Sequence, residues 1–336
     1  MKFEVIIGNP PYQNKNKSIY QNFIDLALQL SNRHVIIISK DNWLVGDTLQ
    51  NVRNHIVGNG LVYIHDFPIR KEIFKDANVA VAILHVDKYK NNDTQEFIYE
   101  CTQNGEIRKS LIRPILTKDG YDIISNEDEY SIISKVTGHK DFESWNLTRN
   151  IRIWSVASNG NYMLTDRTVD VIKYTDNKEK DSDIKVIFMD SKHDSYCKYT
   201  NALPKGRDGV DEYKVVCGSK VGKTGQVITS LLMVRPGEIV TNSYSIIAIV
   251  HTEYEANAVY KYVQTRLFRE LVHIGISGDR VSFSYSCSKY VPMQDFTENS
   301  DIDWSKDIEE IDNMLSKKYG LTEDEERYIA NKIVSI

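Results

Sequence analysis

Apolar residues recur in two rhythms along this chain, and the place where the rhythm changes divides it. In the first part, short β-branched and aromatic runs alternate with stretches of helical spacing. Phe3-Glu4-Val5-Ile6-Ile7 reads as a short buried strand. It ends at Gly8-Asn9-Pro10-Pro11, because two successive prolines cannot continue a ladder. Ser18 and Gln21 have the spacing of a capping box, after which Ile19, Phe23, Leu26, Ala27 and Leu30 share one helical face. His34 to Ser39 predicts a buried strand. A helix follows from near Asp47, with Leu49, Val52 and Ile56 inward and Gly58 or Gly60 as its stop. Leu61 to Phe67 and Val79 to Val86 predict two further strands. Strands alternating with helices predict a doubly wound α/β sheet.

That pattern ends after about Leu116. From Tyr121 the apolar runs shorten, and Asn, Asp, Ser and Gly become frequent. Val227 to Val234, Glu238 to Thr241, Ser245 to Val250 and Val281 to Tyr285 predict strands. Ala256, Val259, Val263, Leu267 and Leu271 predict one strong helix among them. From Asp307 the chain predicts two short helices joined by Tyr319-Gly320-Leu321-Thr322, with Thr322 and Glu325 as a second capping box.

Composition narrows the class. At 336 residues the chain suits more than one domain, and 41% hydrophobic with 26% charged residues is an ordinary globular balance. No run of about 18 apolar residues occurs, which predicts no membrane span. The first residues lack the features of a signal peptide, so the expectation is a cytoplasmic protein. Cys101, Cys197, Cys217 and Cys287 are far apart and form no CxxC pair, so they are expected reduced, mostly in the core, with no metal site. The net charge of −5 requires any nucleic-acid contact to come from a local basic surface.

The chemistry concentrates in Asn9-Pro10-Pro11-Tyr12. A tight turn at the carboxyl end of a strand is where open α/β sheets place ligands. The exocyclic amine of a base is a poor nucleophile, because its lone pair is delocalised into the ring. Two acceptors on its N–H bonds draw the nitrogen toward tetrahedral geometry. The Asn9 side-chain oxygen and the Pro10 carbonyl are such acceptors, and the prolines stiffen the loop that carries them. Tyr12 is suited to stack on a base extruded from its helix.

The run Phe3 to Tyr12 resembles the catalytic motif of adenine-N6 DNA methyltransferases of restriction-modification systems, of the Eco57I-like kind. Ile38-Ser39-Lys40-Asp41-Asn42-Trp43, Ile64-His65-Asp66-Phe67 and Ile73-Phe74-Lys75-Asp76-Ala77-Asn78-Val79 are similar to the family's following strands and loops. Pro236 to Tyr244, Tyr262 to Phe268, Tyr290 to Phe296, Ile302-Asp303-Trp304 and Lys318 to Thr322 resemble its target-recognition half. The resemblance implies an α/β fold in which a partial Rossmann-like methyltransferase sheet (1–120) is followed by a mixed α+β target-recognition domain (121–296) and a short helical tail (297–336). It implies transfer of a methyl group from S-adenosylmethionine to adenine N6 in double-stranded DNA. Asn9, Pro10, Pro11 and Tyr12 would be catalytic, with Tyr12 and Phe74 on either face of the target base.

Two departures from the family stand out. Glu4 occupies a position where it usually has Asp. Its glycine-rich turn for S-adenosylmethionine lies upstream of the catalytic motif, and only eight residues precede Asn9 here. The donor site is therefore expected from another chain or a missing segment. A non-catalytic DNA-recognition subunit or fragment is the alternative, and RNA or protein as substrate a weaker third.

Lys205, Arg207, Lys220 and Lys223 are the expected DNA contacts, on two basic loops. Gly218 to Thr224 has phosphate-loop character but is one residue short between its glycines and has no βαβ setting. His193, Asp194 and His251 have no partners at metal or triad spacing, and Asp25, Asp41 and Asp66 form no nuclease arrangement.

Overall fold

The computed structural model describes residues 2–14, 17–44, 49–69, 71, 73–76, 79–90, 95–117, 120–145, 175–189, 196–200, 209–220, 222, 225–241, 243–276 and 285–334. The chain divides into two compact units, Met1–Ser134 and Lys135–Ile336.

In the first unit, β1 (Phe3–Gly8) is followed by a two-residue ribbon, β2 (Gln13–Asn14) and β3 (Lys17–Ser18), and by α1 (Tyr20–Leu30). Next come β4 (Ser31–Lys40), a 3-10 turn (Asp41–Trp43), α2 (Gln50–Gly58), β5 (Leu61–Phe67) and β6 (Val81–Asp87). A hairpin of β7 (Phe97–Gln103) and β8 (Glu106–Ile112), a small one of β9 (Ile115–Thr117) and β10 (Gly120–Asp122), and α3 (Glu127–Thr137), whose last residues from Lys135 fall in the second unit, complete the series. Six strands form one mixed sheet in the order β1-β4-β6-β5-β7-β8. β1 and β4 are parallel, and β6 runs against both β4 and β5. The carboxyl ends of β1, β4 and β5 therefore share one edge.

The sheet is covered unevenly. Val35, Ile37, Ile64, Ala82, Leu84 and Val86 are buried in one core with Tyr20, Ile24, Ala27 and Leu28 of α1 and Val52, Ile56 and Val57 of α2. Each Val, Leu or Ile side chain among them contributes about 1.5–3 kcal/mol by leaving water. Their strand neighbours His34, Ile36, Ile38, Tyr63, His65, Ile83 and His85 point the other way and are only half-buried. The expected doubly wound sheet is thus packed firmly on one face.

Three local expectations are corrected here. β1 is not buried: among the described residues it is an edge strand paired with β4 alone, and Phe3, Val5 and Ile7 are exposed, Ile7 by 73%. α1 buries Tyr20, Ile24, Ala27 and Leu28, while Phe23 and Leu26 of the expected stripe are exposed. The helix carries apolar residues on two adjacent faces, and only one meets the sheet. Its N-cap is Ile19, which offers no side-chain acceptor. Ser18 and Gln21 do bond, but through the Ser18 hydroxyl to the Gln21 side chain (3.0 Å) and the Gln21 amide to the Ser18 carbonyl (3.2 Å), so no capping box forms.

The hairpin β7–β8 extends the sheet beyond the strands read from periodicity. β10 is bound to α2 by a buried ion pair, Arg53 Nη2 to Asp122 Oδ1 at 2.6 Å, with both side chains at 0% exposure. The first compact unit consequently continues past residue 120.

In the second unit, β11 (Ile184–Phe188) lies between β12 (Tyr196–Thr200) and β15 (Glu238–Val240). β13 (Tyr213–Gly218) lies between β14 (Leu232–Val234) and β16 (Tyr244–Val250). The helices are α4 (Glu253–Gln264), α5 (Arg266–Ile274), α6 (Tyr285–Ser288), α7 (Ile308–Tyr319) and α8 (Glu323–Lys332). The strand expected from Val227 is shorter, because Val227 and Ser230 have positive φ and only Leu232–Val234 pairs. Of Val281 to Tyr285, residues 281–284 lie outside the described ones and Tyr285 begins a helix.

The single helix expected from Ala256 to Leu271 is two. Thr265 is extended (φ −60°, ψ 150°), and its hydroxyl caps α5 by accepting from Phe268 N. Asp312 of α7 accepts from Arg266 N and Leu267 N at 2.9 and 3.2 Å, so the break is held from outside as well. Trp145, Tyr262, Phe268, Phe296 and Trp304 form an aromatic core around this joint, with Trp145 and Tyr262 stacked 5.4 Å apart. The tail forms its two helices, with Gly320 in the left-handed conformation (φ 64°) and the Thr322–Glu325 capping box intact. These helices pack on α4 and α5 and so belong to the second compact unit.

Candidate active site

The turn Asn9-Pro10-Pro11-Tyr12 leaves β1 where Gly8 pairs with Ile37 of β4. Neither proline has an N–H to extend the ladder, so the chain departs from the sheet with Asn9 and Pro11 exposed and Pro10 half-buried. The Asn9 amide and the Pro10 carbonyl thus sit at an accessible sheet edge. Ile19 N–H donates to the Tyr12 carbonyl at 3.2 Å, closing the loop that carries the two-residue ribbon.

Tyr12 turns back onto the core rather than standing free. Its ring meets the ring of Tyr20 edge-on, with centroids 6.4 Å apart and planes at 81°. Its hydroxyl is buried and has no hydrogen-bond partner among the described residues. Burial raises its pKa. Tyr20, wholly buried, donates its hydroxyl to Asn42 Oδ1 at 2.7 Å. Its pKa is raised by burial first and by the negative charge of Asp41 second, so it stays a donor at any physiological pH.

The 3-10 turn after β4 is firmly seated. Trp43 is buried, its indole N–H donates to Ser39 Oγ (3.1 Å), and its carbonyl accepts from Arg53 Nη1 (2.7 Å). Asn42 is exposed on this rigid turn, at the same edge as Asn9. At the end of β5, Asp66 is buried at 6% exposure. It accepts from the Tyr99 hydroxyl through Oδ2 at 2.5 Å, while Oδ1 has no partner among the described residues. Burial, helped by the charge of Asp41, pushes its carboxyl up to about 7, against the hydrogen bonds from Tyr99 and Phe67.

The remaining expected residues fall as follows. Phe74 is half-buried in the loop between β5 and β6, which leaves from the edge that carries Asn9, but the ring partner of Tyr12 is Tyr20. Lys220 is exposed just after β13, its carbonyl accepting from Thr229 Oγ1 at 3.0 Å. Lys205, Arg207 and Lys223 lie outside the described residues. Among the described residues no group of three His, Cys, Asp or Glu side chains is placed to hold a metal, and no helix is long and apolar enough to cross a membrane. Of the four cysteines, Cys217 and Cys287 are buried, Cys101 is half-buried and Cys197 is exposed, so half of them lie in the core.

Sequence reasoning missed Tyr20 and Asn42. Their only signal is an aromatic hydroxyl and an amide bordering the two loops that leave one sheet edge.

Comparison with known proteins adds to this geometry. Residues 1–74 match the model of the family described as Eco57I restriction-modification methylase. An uncharacterized adenine-specific methylase of Mycoplasma pneumoniae is 28% identical over 132 residues, covering 36% of this chain and 28% of the relative. The type IIL restriction-modification enzyme MmeI, solved in complex with DNA, is 12% identical, with a TM-score of 0.47 over 98% of this chain and 56% of that one. A type I restriction-modification methyltransferase subunit from Streptococcus thermophilus is 11% identical, with a TM-score of 0.26 over 37% of this chain and 30% of that one. The chain thus spans a little over a quarter of the curated relative it matches.

Proposed function

We propose, on the premise that residues 1–74 belong to the Eco57I restriction-modification methylase family, that this chain methylates adenine N6 in DNA with S-adenosylmethionine as donor. The observation that carries the reading is the Asn9-Pro10-Pro11 turn, with Asn9 and Pro11 exposed, at a sheet edge shared by the loops after β4 and β5. The Asn9 side-chain oxygen and the Pro10 carbonyl take the two N–H bonds of the target amine. That leaves its lone pair aimed at the methyl group, and these contacts tighten as the nitrogen becomes tetrahedral. Tyr12 and Phe74 flank the extruded base. The second unit reads the surrounding sequence, with Lys205, Arg207, Lys220 and Lys223 on phosphates.

The donor needs more than the described residues offer. None of their glycines forms the glycine-rich strand-to-helix turn that cradles a nucleotide. Among the described residues β1 and β8 are the two outer strands of this sheet, and β1, which carries the Asn9 turn and exposes Phe3, Val5 and Ile7, is the one we take as the template for a polypeptide that supplies the donor site. With that polypeptide present, Asn9→Ala abolishes incorporation of a tritiated methyl group into unmethylated DNA while DNA affinity stays within about twofold. Near-normal turnover by the variant refutes the assignment.

A further inference from the structure

The catalytic reading leaves open what orients Tyr12. A stacking tyrosine must present its ring at one angle, yet the Tyr12 hydroxyl has no hydrogen-bond partner among the described residues to hold it. What the ring does have is the edge-on contact with Tyr20. Tyr20 in turn is held at its far end, because its hydroxyl donates to Asn42 Oδ1. Asn42 belongs to a turn pinned by Trp43 to Ser39 and by Arg53 to the Trp43 carbonyl. The series runs from the rigid turn after β4, through a buried ring, to the ring beside the Asn9 turn.

The hydroxyl of Tyr20 is not needed to fill space, since phenylalanine occupies nearly the same volume. Its bond reaches across 22 positions of sequence to an exposed side chain. One net hydrogen bond of this kind contributes only about 1 kcal/mol to folding, so its larger effect is on orientation.

We infer that Tyr20 is a positioning residue for methyl transfer: clamped to Asn42, it sets the angle of the Tyr12 ring beside Asn9-Pro10-Pro11. The inference rests on the proposed function for its catalytic consequence, and on geometry alone for the clamp. Tyr20 touches no reacting atom. It acts through Tyr12, and Asn42 acts through Tyr20.

Two measurements on the chain, paired with the polypeptide that completes it, test this. In the first, Tyr20→Phe lowers kcat for methylation of unmethylated phage DNA about ten- to a hundredfold, the scale of a small misplacement at a reacting centre. KM for DNA stays within about twofold. Asn42→Ala reproduces the fall, and the double variant is no slower than Tyr20→Phe, because both remove one link. In the second, 3-fluorotyrosine placed at position 12 shows a shifted or broadened fluorine resonance in Tyr20→Phe, with no DNA present. An unchanged resonance, an unchanged kcat, or additive losses in the double variant overturns the inference. If the unaltered protein methylates nothing, the proposed function fails by itself, and the fluorine measurement still decides the clamp.

Discussion

Tyr99 donates its hydroxyl to Asp66 at 2.5 Å, and the second oxygen of that carboxylate is buried with no partner among the described residues. Asp66 therefore carries a cost when ionised, and its carboxyl is pushed from 3.8 up to about 7, mainly by burial. Between these values the folded state holds a proton that the unfolded state has released. Stability is accordingly highest below about pH 4, falls as pH rises, and is fully reduced above about pH 7 as far as this group is concerned. Asp66→Asn removes that slope and raises the melting temperature at pH 8 relative to the unaltered protein. Tyr99→Phe has the opposite effect above pH 7, because the ionised carboxylate loses its donor. Thermal melts from pH 5 to pH 9 check both, and parallel curves for Asp66→Asn and the parent contradict the account.

The buried Arg53–Asp122 pair ties β10 to α2. Removing one partner leaves a buried charge without its counterion, so Asp122→Ala costs about 3–5 kcal/mol, read from urea unfolding. Replacing both, Arg53→Met with Asp122→Leu, leaves no buried charge and so costs less than Asp122→Ala, but it stays destabilising because the Trp43 and Tyr121 carbonyls lose their Arg53 donor. A double variant as unstable as the single one shows that the pair does more than neutralise itself.

The joint between α4 and α5 has two independent supports, the Thr265 hydroxyl and the Asp312 carboxylate. Thr265→Ala leaves a helix start uncapped and costs about 1–2 kcal/mol. Asp312→Ala costs a similar amount by removing the acceptor of two backbone donors. Neither change lengthens α4 into α5, because Tyr262 and Phe268 must both reach the aromatic core. Tryptophan fluorescence from Trp145 and Trp304 during denaturation reports the loss.

Much of this is legible in the amino-acid sequence. The turn at Asn9-Pro10-Pro11-Tyr12 could be read because a missing proline N–H is a local property. The Thr322–Glu325 box and the Gly320 stop are local in the same way. Thr265 was hidden, since Ala256, Val259, Val263, Leu267 and Leu271 keep helical spacing straight through the break, and Asp312, which stabilises it, is far along the chain. Phe23 and Leu26 were misjudged because apolar character does not say which of two apolar faces meets the sheet. Tyr20 and Asn42 meet only through the packing of α1 on β4, which single-residue properties do not encode.

If the proposed function holds, the chain alone binds S-adenosylmethionine weakly or not at all, because none of the described glycines forms a nucleotide-cradling turn. Calorimetric titration showing a low-micromolar constant for the chain by itself refutes this.

The contacts of α8 constrain the order in which the second unit can be built. Glu325 receives Lys135 at 2.6 Å from 190 positions earlier in the chain, and Lys332 reaches Glu270 at 2.7 Å. The Val334 carbonyl accepts from the buried Arg269, and the Val334 N–H donates to Gly225. During synthesis, every other element of this unit emerges before α8. Until α8 arrives, Arg269 and Glu270 face a half-made interior without these partners, and closing so long a loop is slow. A ribosome that pauses before residue 323 therefore holds a unit whose strands exist but whose charged interior stays wet. That interval is when a chaperone or a protease has its best access to it.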